Sequence, residues 1–189
     1  MNRRTFFSLT AIALASSLAA CSTTSTPNEA ASKRKEIDAG VDGALSKLFT
    51  STPGAQAQAS KAKGILVFPS VIAAGLVVGG EYGEGALRVG GTSVGYYKTS
   101  TASFGLQIGA QSKAVILMFM TQEALDKFRT SDKGWTAGVD GSVAVAKQGA
   151  NGQLDTASTG APIVGFVLTN SGLMANLSFE GTKVSKLDI

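Results

Sequence analysis

The sequence has 189 residues, of which 44% are hydrophobic and 16% charged, and a formal net charge of +4. That length suits a single domain. Histidine is absent and Cys21 is the only cysteine, so the chain can build no Ser-His-Asp or Cys-His catalytic unit, no His/Cys zinc site and no internal disulfide. Chemistry that uses only carboxylates remains possible, but we expect a protein that is not an enzyme, with no catalytic residue, no metal site and no cofactor.

Residues 1–20 are typical of a signal peptide. Arg3 and Arg4 give it a positive start, and residues 9–20 form an apolar run that is too short for a transmembrane helix of about 20 residues. The run ends in Leu18-Ala19-Ala20-Cys21, which resembles a bacterial lipobox. The resemblance implies that Cys21 becomes the N-terminus and carries a diacylglyceryl group, with acyl chains such as palmitate. Several acyl chains on one residue anchor a protein stably.

The residues around Cys21 also predict a destination. Ser22 stands where an aspartate would resemble an inner-membrane retention signal, so the resemblance implies the outer membrane. The start Asn2-Arg3-Arg4-Thr5-Phe6-Phe7 resembles a twin-arginine export motif, and both export by that route and general secretion stay open. Polar residues 21–32 are expected to form a flexible tether. Without Arg3 and Arg4, 15 basic and 13 acidic residues remain, and this weak charge does not indicate nucleic-acid binding.

Residues 33–189 are predicted to form one domain. A helix is expected over Glu29–Phe49, because apolar residues recur there at helical spacing, and a short second helix over Ala55–Ala62. A third helix is expected over Gln122–Phe128, with Thr121 as its N-cap. The last two-thirds of the chain otherwise alternates apolar segments with glycine-rich or polar turns, which is typical of strands.

The expected strands are separated mostly by short connections, which favours antiparallel pairing. The predicted fold class is therefore α+β, mainly antiparallel β, as a sandwich or flattened barrel with N-terminal helices and one inserted helix. One strand is expected to stop at Pro69, and a hairpin turn is expected at Gly90-Gly91. The expected strands cover Ile65–Phe68, Ile72–Val78, Gly85–Val89, Ser93–Lys98, Ser103–Ala110, Ala114–Met120, Trp135–Ala146, Ile163–Leu168 and Leu173–Phe179.

Four stretches, in this order, carry a family resemblance. They are AKGILVF at 62–68, GEYGEG at 80–85, GLQIGA at 105–110 with the strand and helix that follow, and the ending from Gly172-Leu173 to SFEG at 178–181. Together they make residues 61–189 similar to a SYLF domain, a lipid- and actin-associated module. The resemblance implies binding to membrane lipids, with phosphoinositides as ligands in eukaryotic members and actin contact in some fungal ones. In a bacterial envelope it implies affinity for anionic or general phospholipid surfaces.

Basic residues are the candidates for contact with lipid head groups. Lys33, Arg34 and Lys35 lie near the anchor, where they can contact anionic lipids or form a solvated helix end. Four more lie close to the SYLF-like core and would form a patch if the fold brings them together: Lys61, Lys63, Arg88 and Lys98. The aromatic side chains of Tyr96, Tyr97 and Trp135 suit either a membrane interface or the core.

Two other functions stay open. One is a structural envelope protein that binds protein partners or associates with itself. The other is a hydrolase that uses Glu81 and Glu84 as paired carboxylates. The odd spacing of these glutamates places them on opposite faces of a straight strand, which disfavours the second.

Overall fold

The structure is a computed structural model that describes residues 26–75, 78–104, 111–147, 154, 160–174 and 178–189. The predicted signal peptide at 1–20, the lipidation site Cys21 and the first part of the tether lie outside the described residues. So does the segment 105–110, on which one of the four family-like stretches and most of one expected strand fall.

Three helices and nine strands are present in the described residues. The helices are α1 (Pro27–Ser51), α2 (Ala55–Ala59) and α3 (Gln122–Arg129). The strands are β1 (Gly64–Gly75), β2 (Val78–Val89), β3 (Thr92–Phe104), β4 (Gln111–Phe119), β5 (Trp135–Thr136), β6 (Val143–Val145), β7 (Ile163–Thr169), β8 (Gly172–Leu173) and β9 (Lys183–Lys186).

These strands form one sheet in the order β5-β9-β3-β2-β1-β4-β7-β6, with β8 paired to the C-terminal end of β7. The pairings of these strands are antiparallel, apart from that of β6 with β7. The sheet curls into a half-barrel. The predicted α+β class with a mainly antiparallel sheet is therefore confirmed, and the architecture is nearer to a flattened barrel than to a sandwich.

Helix α1 begins earlier than the sequence suggested. The Thr26 hydroxyl accepts from the backbone N–H of Glu29, and the Glu29 carboxylate accepts from the Thr26 N–H at 2.8 Å, so the two form a capping box. Pro27 occupies the first turn, where its missing N–H costs nothing. Residues 27–32, predicted to belong to the flexible tether, are therefore helical.

The sheet is buried on both faces. On the face covered by α1, which lies over β1 and β2, the buried residues of the helix share one apolar cluster with residues of β1, β2, β4 and β7: Ile37, Val41, Ala44, Leu48, Val67, Ala86, Ile116, Met118 and Phe166. On the opposite face, alternate residues of β4 (Val115, Leu117 and Phe119) join Leu125 and Phe128 of α3. None of the helices in the described ranges is long and apolar enough to cross a membrane.

The sequence predicted that a strand ends at Pro69, and this prediction is wrong. Strand β1 continues through it, and the register against β2 and β4 shifts between Val67 and Val71. Such a β-bulge accommodates a residue that has no N–H to donate. Gly85 lies opposite the bulge, where a Cβ atom would collide with the carbonyl oxygen of Val67. Glycine is therefore required there by close backbone contact.

The remaining elements divide between confirmed and corrected predictions. The hairpin turn at Gly90-Gly91 is confirmed, with φ of 59° and 84°, and so is α3 with its Thr121 cap. The expected strand over Trp135–Ala146 is instead two short strands, β5 and β6, joined by a turn. Strand β9 was not predicted, because Val184 is its only apolar residue.

Candidate functional site

Three of the six ion pairs in the described residues lie on the surface where α1 meets β2 and β3. We call it the α1 seam and define it by Lys33, Asp38, Asp42, Glu84, Arg88 and Tyr96. At its first contact the Lys33 ammonium lies 2.7 Å from the Glu84 carboxylate, which also accepts from the Tyr82 hydroxyl at 2.9 Å. Burial would raise the pKa of Glu84, but these two hydrogen bonds, together with the charges of Lys33 and Lys98, hold the pKa below its ordinary value. The hydrogen bond to Glu84 raises the pKa of Lys33.

Arg88 makes the second contact of the α1 seam. Its guanidinium donates to the Asp42 carboxylate at 2.8 Å, to the backbone oxygen of Asp38 at 3.3 Å and to that of Gly91 at 3.0 Å. Only 16% of the Arg88 side chain is exposed. One side chain therefore ties the middle of α1 to both β2 and the β2–β3 turn.

Asp38 is the centre of the third contact. Its two carboxylate oxygens accept from the Ser93 hydroxyl at 2.6 Å and from the Tyr96 hydroxyl at 2.9 Å. Burial raises the pKa of Tyr96, and the hydrogen bond to Asp38 adds to that rise. The seam thus uses five charged side chains, three of α1 and two of β2, to hold α1 against the sheet.

The seven predicted head-group residues do not form one patch. Lys33 and Arg88 are engaged in the ion pairs of the α1 seam. Lys98 lies opposite Glu84 across the β2–β3 pairing, and its charge acts on the Glu84 carboxylate. Arg34 lies close enough for its charge to act on the Tyr96 hydroxyl. Lys35 is exposed on α1, whereas Lys61 and Lys63 are exposed between α2 and β1.

A groove of about 520 Å³ opens between α1 and the β1–β2 hairpin. Ile72 and Tyr82, which face each other across the two strands, line it and are about half exposed. Gly40 lets α1 approach the bulge in β1, since a Cβ atom at this position would lie 2.9 Å from the Cγ atom of Pro69. The lining of the groove is mainly apolar, and Lys33 and Glu84 also belong to it.

Glu81 and Glu84 do not form a catalytic pair. Glu84 faces α1, whereas Glu81 lies on the opposite face and is bonded at 2.8 Å to Lys113 of β4, across β1. Both Glu81 and Lys113 are mostly buried. Two carboxylates on opposite faces of a sheet cannot flank one glycosidic bond, so this version of the hydrolase hypothesis is wrong.

A smaller cavity, of about 280 Å³, lies beside the start of α3 and is lined by Glu123, Lys127, Trp135, Asp140 and Ile163, among others. Its mixed charges suggest no particular ligand. Among the described residues, no group of three or more acidic, histidine or cysteine side chains is placed to hold a metal ion.

Two of the aromatic candidates belong to the core. Trp135 and Tyr97 are 1% and 7% exposed, and both rings pack against Phe128, with centroids 5.7 and 5.0 Å from it. Burial raises the pKa of Tyr97. Tyr96 is half-buried in the α1 seam. The first two therefore do not lie at a membrane interface.

Residues 100–188 match the model of the family described as "Ysc84: Las17-binding protein actin regulator". This match confirms the predicted SYLF resemblance over residues 100–188. The match covers a little under half of the chain and begins within β3. No curated protein matches the chain.

Sequence reasoning missed the acidic half of the α1 seam. Asp38 and Asp42 are four residues apart in α1, so they share one helix face, and this spacing was the available signal. Their partner Arg88 lies some 50 residues away in sequence, and only the fold shows that it faces them.

Proposed function

We propose that this chain is a lipid-anchored protein of the bacterial outer membrane whose SYLF domain binds phospholipid surfaces and catalyses no reaction. The family match of residues 100–188 carries the proposal, because lipid binding is what the SYLF resemblance implies. The lipobox-like sequence that ends at Cys21 supports the anchor, and Ser22 supports the outer membrane.

The α1 seam has a structural part in this function. Its basic residues are matched by carboxylates of α1 and β2, so they are poorly available to lipid phosphates. Reversing the charge of Lys33 or Arg88 would therefore weaken the docking of α1 before it changed any lipid contact. Lys35, Lys61 and Lys63 are exposed, so their predicted contact with lipid is to be compared with that of other exposed basic residues.

Vesicle co-sedimentation tests the lipid-binding part. The chain from Ser22 onward, which carries no acyl group, is mixed with vesicles of pure phosphatidylcholine or of equal parts phosphatidylcholine and phosphatidylglycerol. It retains all residues of both described cores, the first of which is Ile37. We expect binding to the anionic vesicles that is lost near 1 M salt, where the Debye length falls to about 3 Å. Absence of binding to either vesicle would contradict the proposal.

Mass spectrometry tests the anchor. In bacterial cells the N-terminal peptide is expected to begin at Cys21 and to carry the mass of a diacylglyceryl group. The Cys21→Ser chain, which lacks the acceptor thiol, should lose this mass and leave the outer-membrane fraction. A wild-type peptide that begins elsewhere, or that carries no lipid, would overturn this part and leave the vesicle result standing.

A second candidate function is contact with a protein partner or with another copy of the chain. The words of the family description favour it, since they name a protein that members of the family bind. Cross-linking in detergent would then recover a defined complex, while the acyl-free chain would bind no vesicle.

A further inference from the structure

A group of basic residues lies at the rim of the sheet where α3 ends. Lys183 and Lys186 belong to β9, and the loop after α3 passes over this strand, so that Asp132 lies 3.5 Å from the Lys186 ammonium. A Cβ atom on Gly134, the residue after Lys133, would lie 3.3 Å from the side chain of Lys183. We call Arg129, Lys133, Lys183 and Lys186 the β9 edge.

Arg129 completes this group from the last turn of α3. Its charge acts on the hydroxyl of Tyr97, the residue that faces Lys186 across the β3–β9 pairing. The four basic residues are all exposed. Lys183 and Lys186 point to opposite faces of β9, since they are an odd number of residues apart, so both sides of this rim carry a lysine.

Few carboxylates balance the β9 edge. Asp132 is paired with Lys186 but its side chain is 89% exposed, and Asp188 follows two residues after Lys186. In the described residues these four cations thus form one ion pair, whereas Lys33 and Arg88 of the α1 seam form four. All four cations also lie within residues 100–188, the segment that matches the SYLF family.

We propose that the β9 edge is the surface through which the domain contacts the phosphate groups of an anionic bilayer. The inference rests on the proposed lipid-binding function and assigns it a site. An exposed basic group near an anionic surface contributes about 1 kcal/mol per residue, or about fivefold in affinity. Strand β5 pairs only with Lys183 and Val184, so no described strand covers the outer side of Ser185 and Lys186.

Charge reversal distinguishes this site from the rest of the basic surface. The acyl-free chain from Ser22 is compared with an edge variant (Lys133→Glu, Lys183→Glu, Lys186→Glu) and a control variant (Lys35→Glu, Lys61→Glu, Lys63→Glu). Both triple variants change the net charge equally, and all six residues are exposed. Binding is measured on vesicles of equal parts phosphatidylcholine and phosphatidylglycerol, and thermal unfolding by circular dichroism checks that each variant folds.

We expect the edge variant to lose about 100-fold in affinity and the control variant less than about tenfold. Equal losses would show that only net charge matters and would overturn the site, as would a larger loss in the control. If the edge variant fails to fold, both triple variants are made again with glutamine in place of each lysine. The edge variant is again expected to lose more affinity than the control variant. If the wild-type chain bound no anionic vesicle, the proposed lipid-binding function itself would be contradicted. If the wild type bound but the edge variant lost no more affinity than the control, the β9 edge alone would be contradicted.

Discussion

The α1 seam and the β9 edge both contain basic residues, but they differ in what surrounds those residues. In the seam, Lys33 and Arg88 meet Glu84, Asp38 and Asp42 at hydrogen-bond or ion-pair distance. At the edge, the cations face solvent and few carboxylates. The number of basic residues in a segment therefore does not by itself identify a binding surface. Whether a basic residue is available to a ligand depends on the carboxylates that the fold brings next to it from distant parts of the chain.

The largest effect on stability is expected for Arg88→Ala in the α1 seam. This change removes three hydrogen bonds from a mostly buried guanidinium and should lower the free energy of unfolding by about 2 kcal/mol. Urea denaturation measures it. Lys61→Ala, at an exposed position, should change the same quantity by less than about 0.5 kcal/mol. An equal loss in the two variants would show that the seam does not hold α1 in place.

Two glycines of α1 give a matched pair with opposite expected effects. Gly43 has open space around it, so Gly43→Ala should stabilise the protein by up to about 1 kcal/mol through helix propensity alone. At Gly40 the new methyl group would meet the Pro69 ring at 2.9 Å, and Gly40→Ala should destabilise by about 1 kcal/mol despite the same gain in propensity. Thermal unfolding of the two variants checks this, and a stabilised Gly40→Ala would argue against close contact between α1 and the β1 bulge.

The Lys33–Glu84 pair predicts a smaller effect that depends on pH. Since the pKa of Glu84 lies below 4.5, its contribution is present above that pH and is lost as the pH falls through the folded-state value. Since the pKa of Lys33 lies above 10.5, its contribution is present below that pH and is lost at more alkaline pH. Both groups are partly exposed, so we expect less than about 1 kcal/mol. Glu84→Gln should remove this acid-sensitive part of the unfolding free energy, measured by urea titration at several pH values. If the unfolding free energy of Glu84→Gln fell with acid as much as that of the wild type, the pair would be excluded as the source of this acid sensitivity.

The smallest effect on stability is expected at the β9 edge. Lys133→Gln, Lys183→Gln and Lys186→Gln together should change the free energy of unfolding by less than about 0.5 kcal/mol, because the side chains are exposed and the one ion pair there is a surface pair. Chemical denaturation measures this change. A loss near that of Arg88→Ala would mean that the edge, like the seam, serves the fold.

Local signals made much of the fold predictable. Helix α3 follows from the Thr121 cap and the spacing of Leu125 and Phe128, and the β2–β3 turn follows from Gly90-Gly91. The extent of strand β1 was predicted wrongly because proline usually ends a strand. Here a bulge accommodates Pro69, and the register of β1 shifts against both of its neighbours, β2 and β4. Strand β9 escaped prediction because its pairing with β3 makes it a strand, and its own residues carry little β signal.

The candidate site was harder to predict than the fold. Sequence could identify basic residues, and it placed Glu81 and Glu84 on opposite faces. It could not show that Lys33 pairs with Glu84 or that Arg88 pairs with Asp42, because these contacts join residues about 50 positions apart. Long-range pairing also brings β9 and the end of α3 together, and neither segment was predicted to belong to a binding surface.

The measurement that tests the account most directly is fluorescence at single cysteines. With Cys21→Ser no other cysteine remains, so Asp132→Cys at the β9 edge and Glu36→Cys beside the α1 seam can each be labelled with a polarity-sensitive dye. The two positions are matched, because each replaces an exposed carboxylate, with side chains 89% and 75% exposed. On anionic vesicles we expect the dye at 132 to report an apolar environment and the dye at 36 to remain unchanged. The reverse pattern would place the membrane at α1 and contradict the account.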